Sequence, residues 1–111
     1  MMISGNHDIK YTLGGQLFVW NSEKYNINIA KHNITFEEAA SVFLDPMTIY
    51  RPDDDHSYDE EREIVIGFSN MIRILFVCSC EREYGDIIRI ISARKAKTDE
   101  IAEWRKENDE N

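Results

Sequence analysis

Cysteine is scarce in this 111-residue chain: two residues, spaced Cys78-x-Cys80, so no disulfide framework holds it together. Long apolar runs are missing as well. The longest, Ile74-Leu-Phe-Val-Cys78, falls far short of the roughly 18 residues that a membrane-spanning helix needs. Met1–Gly15 lacks the basic start and apolar stretch of a secretory leader. There is no Gly-rich phosphate loop, no H-E-x-x-H and no G-x-S-x-G, which removes the common nucleotide, zinc-protease and serine-hydrolase signatures. No further cysteine exists to complete a zinc site, so Cys78 and Cys80 are expected to be buried free thiols in a central strand. These absences predict a cytoplasmic protein with no membrane association, no metal and no cofactor.

What is present suits one modest core. Hydrophobic residues make up 42% and charged residues 31%, a globular rather than a disordered composition. The formal net charge of −8 argues at first against a nucleic-acid partner. Its distribution weakens that argument, because the excess lies wholly in segments 51–63 and 97–111. The positive charge of the second half falls mostly on arginines, Arg73, Arg82, Arg89 and Arg94, with Lys95 beside them. A local cationic surface is therefore compatible with an acidic chain, although solvated strand positions would account for the same residues.

Along the chain, Met1–Gly15 reads either as a loose arm or as one short strand, ahead of a single domain over residues 16–111. Gln16–Trp20 is an apolar run of strand length. Asn21-Ser22 supplies N-cap chemistry for a helix through Lys31, and Asn33 is a plausible left-handed cap at its end. Thr35-Phe-Glu-Glu38 fits a capping box, with Thr35 capping the backbone at Glu38 and the Glu38 carboxylate reaching back. Phe36, Ala39, Ala40 and Phe43 give that second helix an apolar stripe, and Asp45-Pro46 ends it. Met47–Tyr50 is a candidate strand, and Arg51–Asp59 an acidic loop. From Arg62 onward the alternation is that of strands, at Glu63–Phe68, at Arg73–Cys80 (apolar on both faces) and at Ile87–Ala93. A last helix is expected from Thr98 to about Asn108, with Ile101 and Trp104 its only sizeable apolar pair. The order predicts an α+β fold: a small antiparallel sheet of three to five strands, helices packed on one face, two of them N-terminal and one C-terminal.

The residues left to carry chemistry are histidines, arginines and carboxylates. Lys31-His32 ends the first helix, where the dipole favours positive charge; His32 suits either a stabilising helix end or a catalytic role. His56 lies in the acidic loop. Arg62 follows Glu60 and Glu61, a grouping that a surface ion pair would also explain. Arg89 interrupts a run of isoleucines, so it must face a carboxylate, a groove or a ligand. Arginines on adjacent strands with a histidine or carboxylate meet the needs of metal-free RNA cleavage. A base removes the 2′-hydroxyl proton, an acid protonates the 5′ oxygen, and guanidinium groups grip the phosphate. The composition allows this chemistry without identifying it.

The same residues carry a resemblance. Phe18-Val-Trp20 with Asn21, Lys31-His32 followed by Ile34-Thr-Phe-Glu-Glu-Ala39, and Val42-Phe-Leu-Asp-Pro46 resemble blocks of the BrnT family, toxins of bacterial type II toxin–antitoxin systems. So do Asp55-His-Ser57, Glu60-x-Arg62, Ile66-Gly67 and, most specifically, Ile87-Ile-Arg-Ile-Ile-Ser-Ala-Arg94, in order across residues 16–105. The resemblance implies a RelE-like ribonuclease fold and RNA cleavage that needs neither metal nor ribosome. It also implies neutralisation by a BrnA-like ribbon-helix-helix antitoxin, through which alone the complex would touch operator DNA. By the same analogy Lys31, His32, Glu60, Arg62, Arg89 and Arg94 form the active surface, with Glu60 or His32 as base. Asn21 stands where the family has Asp, and Asn33 where it has Gly; both changes preserve the local capping chemistry.

Two other readings remain at the level of sequence. A RelE-like binding module with little catalysis, acting as co-repressor, fits the acidic balance, which suits a basic antitoxin better than RNA. An unrelated α+β domain whose arginines make only ion pairs is the third.

Overall fold

The computed structural model describes residues 7–55 and 61–109. His56 and Glu60 therefore lie outside the described residues. β1 (Asp8–Leu13) and β2 (Gln16–Asn21) form a hairpin closed by Gly14 and Gly15 at φ +58° and +82°, the left-handed pair that a two-residue turn demands. Of the two readings of Met1–Gly15, its second half takes the strand form.

α1 (Ser22–His32) starts at Asn21, whose Oδ1 accepts from the Lys24 backbone N–H, and ends at Asn33 in the left-handed conformation (φ 56°, ψ 37°). α2 (Phe36–Val42) starts at Thr35, whose hydroxyl accepts from the Glu38 N–H. The expected return bond from the Glu38 carboxylate is replaced. That carboxylate takes hydrogen bonds from Ser69 and Arg73, because the β-hairpin tip offers it a bidentate guanidinium.

β3 (Ile49–Pro52), β4 (Glu63–Phe68), β5 (Ile74–Arg82) and β6 (Ile87–Lys95) follow as an antiparallel meander, and α3 (Thr98–Asp109) closes the chain. The sheet has six strands in the order β1-β2-β6-β5-β4-β3, and the β2–β6 pairing is parallel. Two expectations are corrected here. The sheet is mixed and larger than three to five strands, because the two-helix crossover carries the chain to the far edge and the meander returns β6 to the side of β2.

The helices also occupy both faces rather than one. α1 and α2 cover Phe18, Trp20, Val65, Leu75, Val77, Ile88 and Ile90, the main core. Ile64, Ile66 and Cys78, with Ile74, Phe76 and Ile91, leave the opposite face apolar too, and Trp104 of α3 packs there. At Gly67 a Cβ would lie 2.0 Å from the Thr48 hydroxyl oxygen, so the close passage of Thr48 across β4 requires glycine. Among the described residues, no helix is long and apolar enough to cross a membrane.

Candidate functional site

The α3-side face of the sheet is where the arginines gather. In β6, Arg89 and Arg94 are five positions apart, which in a regular strand would set them on opposite faces. The register shifts between Cys78 and Ser79 of β5, where Cys78 pairs with Ser92 and Ser79 with Ile90. This bulge returns both arginines to one face, Arg89 opposite Cys80 and Arg94 opposite Phe76. Arg51 of β3, paired with Ile64, belongs to the same face.

Arg51, Arg62 and Arg94 line a groove of about 440 Å³ together with Phe76, Cys78 and Ile91 and the carboxylates Asp53, Asp55 and Glu100. The Arg94 guanidinium carbon sits 4.1 Å above the centre of the Phe76 ring, and that of Arg51 lies 5.9 Å from the same ring. Arg62 also borders a neighbouring cleft of about 510 Å³ lined by Asp54, Glu61, Glu63, Glu81 and Tyr84. It stands at the junction of a groove in which three arginines face three carboxylates and a cleft that is acidic. Burial and the charge of Glu81 push the Glu63 carboxyl above its ordinary value there.

Each of three arginines on this face grips a carboxylate. Arg94 donates to both oxygens of Glu100 at 2.8 Å. Arg51 Nε donates to Glu103 at 2.8 Å, and Arg89 donates to Asp8 at 2.8 and 3.3 Å. The Arg89 hydrogen bonds hold the Asp8 carboxyl below its ordinary range. Burial would raise Glu100, but the hydrogen bonds from Arg94 and from the Lys97 backbone outweigh it, and the net displacement is downward. The Glu100 contact pushes Arg94 upward in turn, so its charge is permanent.

The predicted site residues thus divide. Arg62 and Arg94 share the groove, and Arg89 shares its face, paired with Asp8. Lys31 and His32 are exposed in the last turn of α1, the helix packed on the opposite side of the sheet, and neither lines the groove. Arg73, counted in the cationic surface, turns away to Glu38 of α2. Cys78 and Cys80 are buried free thiols, as expected from the strand pattern. Burial pushes the Cys78 thiol up to about 12, with Asp53, 3.6 Å from its sulfur, adding to the effect. Sequence reasoning missed Arg51 and Phe76. Arg51 was counted into the acidic loop, and its place in a strand facing Ile64 carries no local signal.

The structure is thus a mixed sheet between two helical layers, with guanidinium groups drawn to one face. Residues 20–100 match the family described as the ribonuclease toxin BrnT of type II toxin–antitoxin systems, and the chain belongs to that family. The structure is similar to the crystal structure of the Brucella abortus ribonuclease toxin BrnT, with 25% identity and a TM-score of 0.55, covering 71% of this chain and 94% of that one. No curated protein compared with the chain matches it. Membership in a type II family implies an antitoxin partner.

Proposed function

We propose that this chain is an endoribonuclease toxin that cuts RNA without a metal ion and is neutralised by a ribbon-helix-helix antitoxin. The observation that carries the reading is the gathering of Arg51, Arg62 and Arg94 around one groove, with Arg89 on the same face. Guanidinium forks match a phosphodiester as they match a carboxylate, and they stabilise the charge that builds on the phosphorane oxygens. In this reading the base removes the 2′-hydroxyl proton, the 2′ oxygen attacks phosphorus, and the 5′ oxygen is protonated as its bond breaks. Glu60, two positions before Arg62 in the chain, is the base. His32 is left with the helix-end role, since it lies across the sheet from the groove.

The same reading takes residues 16–111 as one RelE-like domain extended by β1, working in the cytoplasm. The antitoxin is a BrnA-like basic partner suited to a chain of net charge −8, and operator DNA is reached only through it. Expression without the antitoxin tests the proposal. Wild type arrests growth and degrades RNA, the purified protein keeps its activity in excess chelator, and Arg62→Ala abolishes both effects. Harmless wild type with intact RNA would instead favour the co-repressor reading, in which the face is a binding surface. The carboxylate already held by each of Arg51, Arg89 and Arg94 is the observation on that side.

A further inference from the structure

The carboxylates that pair with Arg51, Arg89 and Arg94 come from the two ends of the chain. Asp8 comes from β1 and Glu103 from α3, both outside the family-matched residues 20–100, and Glu100 is the last residue of that stretch. The family core supplies the arginines together with Asp53 and Asp55, and the two terminal elements bring further acids onto Arg51, Arg89 and Arg94.

We propose that β1 and α3 form a carboxylate cover over the RNA-binding face, in which Asp8, Glu100 and Glu103 occupy phosphate positions and are displaced when RNA binds. This rests on the ribonuclease reading above and adds its regulation. Three observations support it.

The first is geometry. Arg94 and Arg89 each grip their carboxylate with two nitrogens, the fork that would otherwise hold two phosphate oxygens. The second is the weakness of the outer pairs. The side chains of Asp8 and Glu103 are 52% and 34% exposed, and pairs so solvated hold a cation only loosely, so a polyanion presenting several phosphates at once can replace them. The third is the seating of α3. Beyond the two ion pairs it is fixed by Trp104, which lies edge-on to Phe68 at 5.3 Å and donates to the Met47 carbonyl, and by Asn108 on that same carbonyl. These contacts hold α3 on the sheet independently of Glu103, so that carboxylate can swing from Arg51 with the helix still seated.

The cover predicts that RNA binding by the wild type releases fewer counterions than its arginines would allow, because displaced carboxylates offset the gain. Asp8→Asn/Glu103→Gln in the full chain removes both outer carboxylates and releases Arg51 from Glu103, while leaving the buried Glu100 pair in place. The probe is a 2′-O-methyl RNA oligonucleotide, which cannot be cut, followed by fluorescence anisotropy across a salt series. We expect the slope of log affinity against log salt to steepen by at least about 0.7, the value for the one further phosphate contact that Arg51 gains on a single strand, with roughly twofold tighter binding at low salt. Glu23→Gln/Glu107→Gln removes the same charge from exposed acids outside these pairs, and is expected to leave the slope unchanged. Circular dichroism melting verifies that both variants fold.

A wild type that binds the probe and cleaves natural RNA, beside a covered-pair variant of unchanged slope, would overturn the cover and leave the ribonuclease reading standing. Equal steepening in the control variant would overturn it too, by reducing the effect to net charge. If neither protein binds and wild type does not cleave, both proposals fall together.

Discussion

Glu38 and Arg73 are locked by two hydrogen bonds of 2.7 and 2.6 Å between α2 and the end of the β4–β5 turn, and the Ser69 hydroxyl gives Glu38 a third. The Arg73 contact holds the Glu38 carboxyl below its ordinary value against the opposing effect of burial. A carboxylate lowered in the folded state stabilises it fully above the unfolded value near pH 4.3, and loses that contribution as pH falls through the lowered folded value. Arg73→Ala leaves an almost buried carboxylate unpaired and is expected to cost about 3 kcal/mol at neutral pH. Urea melts at pH 7 and pH 3 check this: the difference between variant and wild type should shrink at the acid end.

Arg94 combines charge, fork geometry and a seat on Phe76. Arg94→Lys keeps the charge and loses the fork, so kcat for RNA cleavage is expected to fall about a hundredfold, with a smaller change in KM. Single-turnover cleavage of a labelled oligonucleotide measures it. A kcat within twofold of wild type would remove Arg94 from the reaction.

The Cys78 thiol, pushed to about 12 in its buried strand position, is a poor nucleophile at neutral pH. Iodoacetamide at pH 8 should leave Cys78 unmodified in the native protein and alkylate it in urea, as read by peptide mass spectrometry. Fast native labelling would contradict the described packing.

At Gly67 even a methyl group meets the Thr48 side chain, whose hydroxyl donates to the Val42 carbonyl at 2.7 Å. Gly67→Ala should destabilise the fold by about 1–3 kcal/mol through this overlap. Asn33 gives the opposite kind of case, where conformation and not space decides. Asn33→Gly should be near neutral, whereas Asn33→Ala should cost about 1 kcal/mol in the left-handed position. Thermal melts of the three variants order them.

The local signals in this sequence were strong where caps and alternation set the structure. Asn21, Asn33 and Thr35 mark the helix ends where they fall, and the alternation from Glu63 onward marks β4, β5 and β6. Pairing across long separations carries no such signal. The parallel contact of Phe18 with Ile88 joins segments seventy positions apart, and nothing near either residue announces it. The site behaved in the same way. Arg89 was legible as a charge among isoleucines that needed a partner, but Asp8 as that partner was not. The shared face of Arg89 and Arg94 depends on one extra residue in β6 opposite the Cys78/Ser79 step, and period-two reading puts them on opposite sides.

Because β6 joins the N-terminal hairpin to the meander, the middle of the sheet is laid down by the last strand to be synthesised. Such non-local pairing folds slowly compared with helical contacts. A nascent chain that stops before Ile87 holds neither that strand nor Arg89 and Arg94, so in the ribonuclease reading it lacks two guanidinium groups of the proposed face.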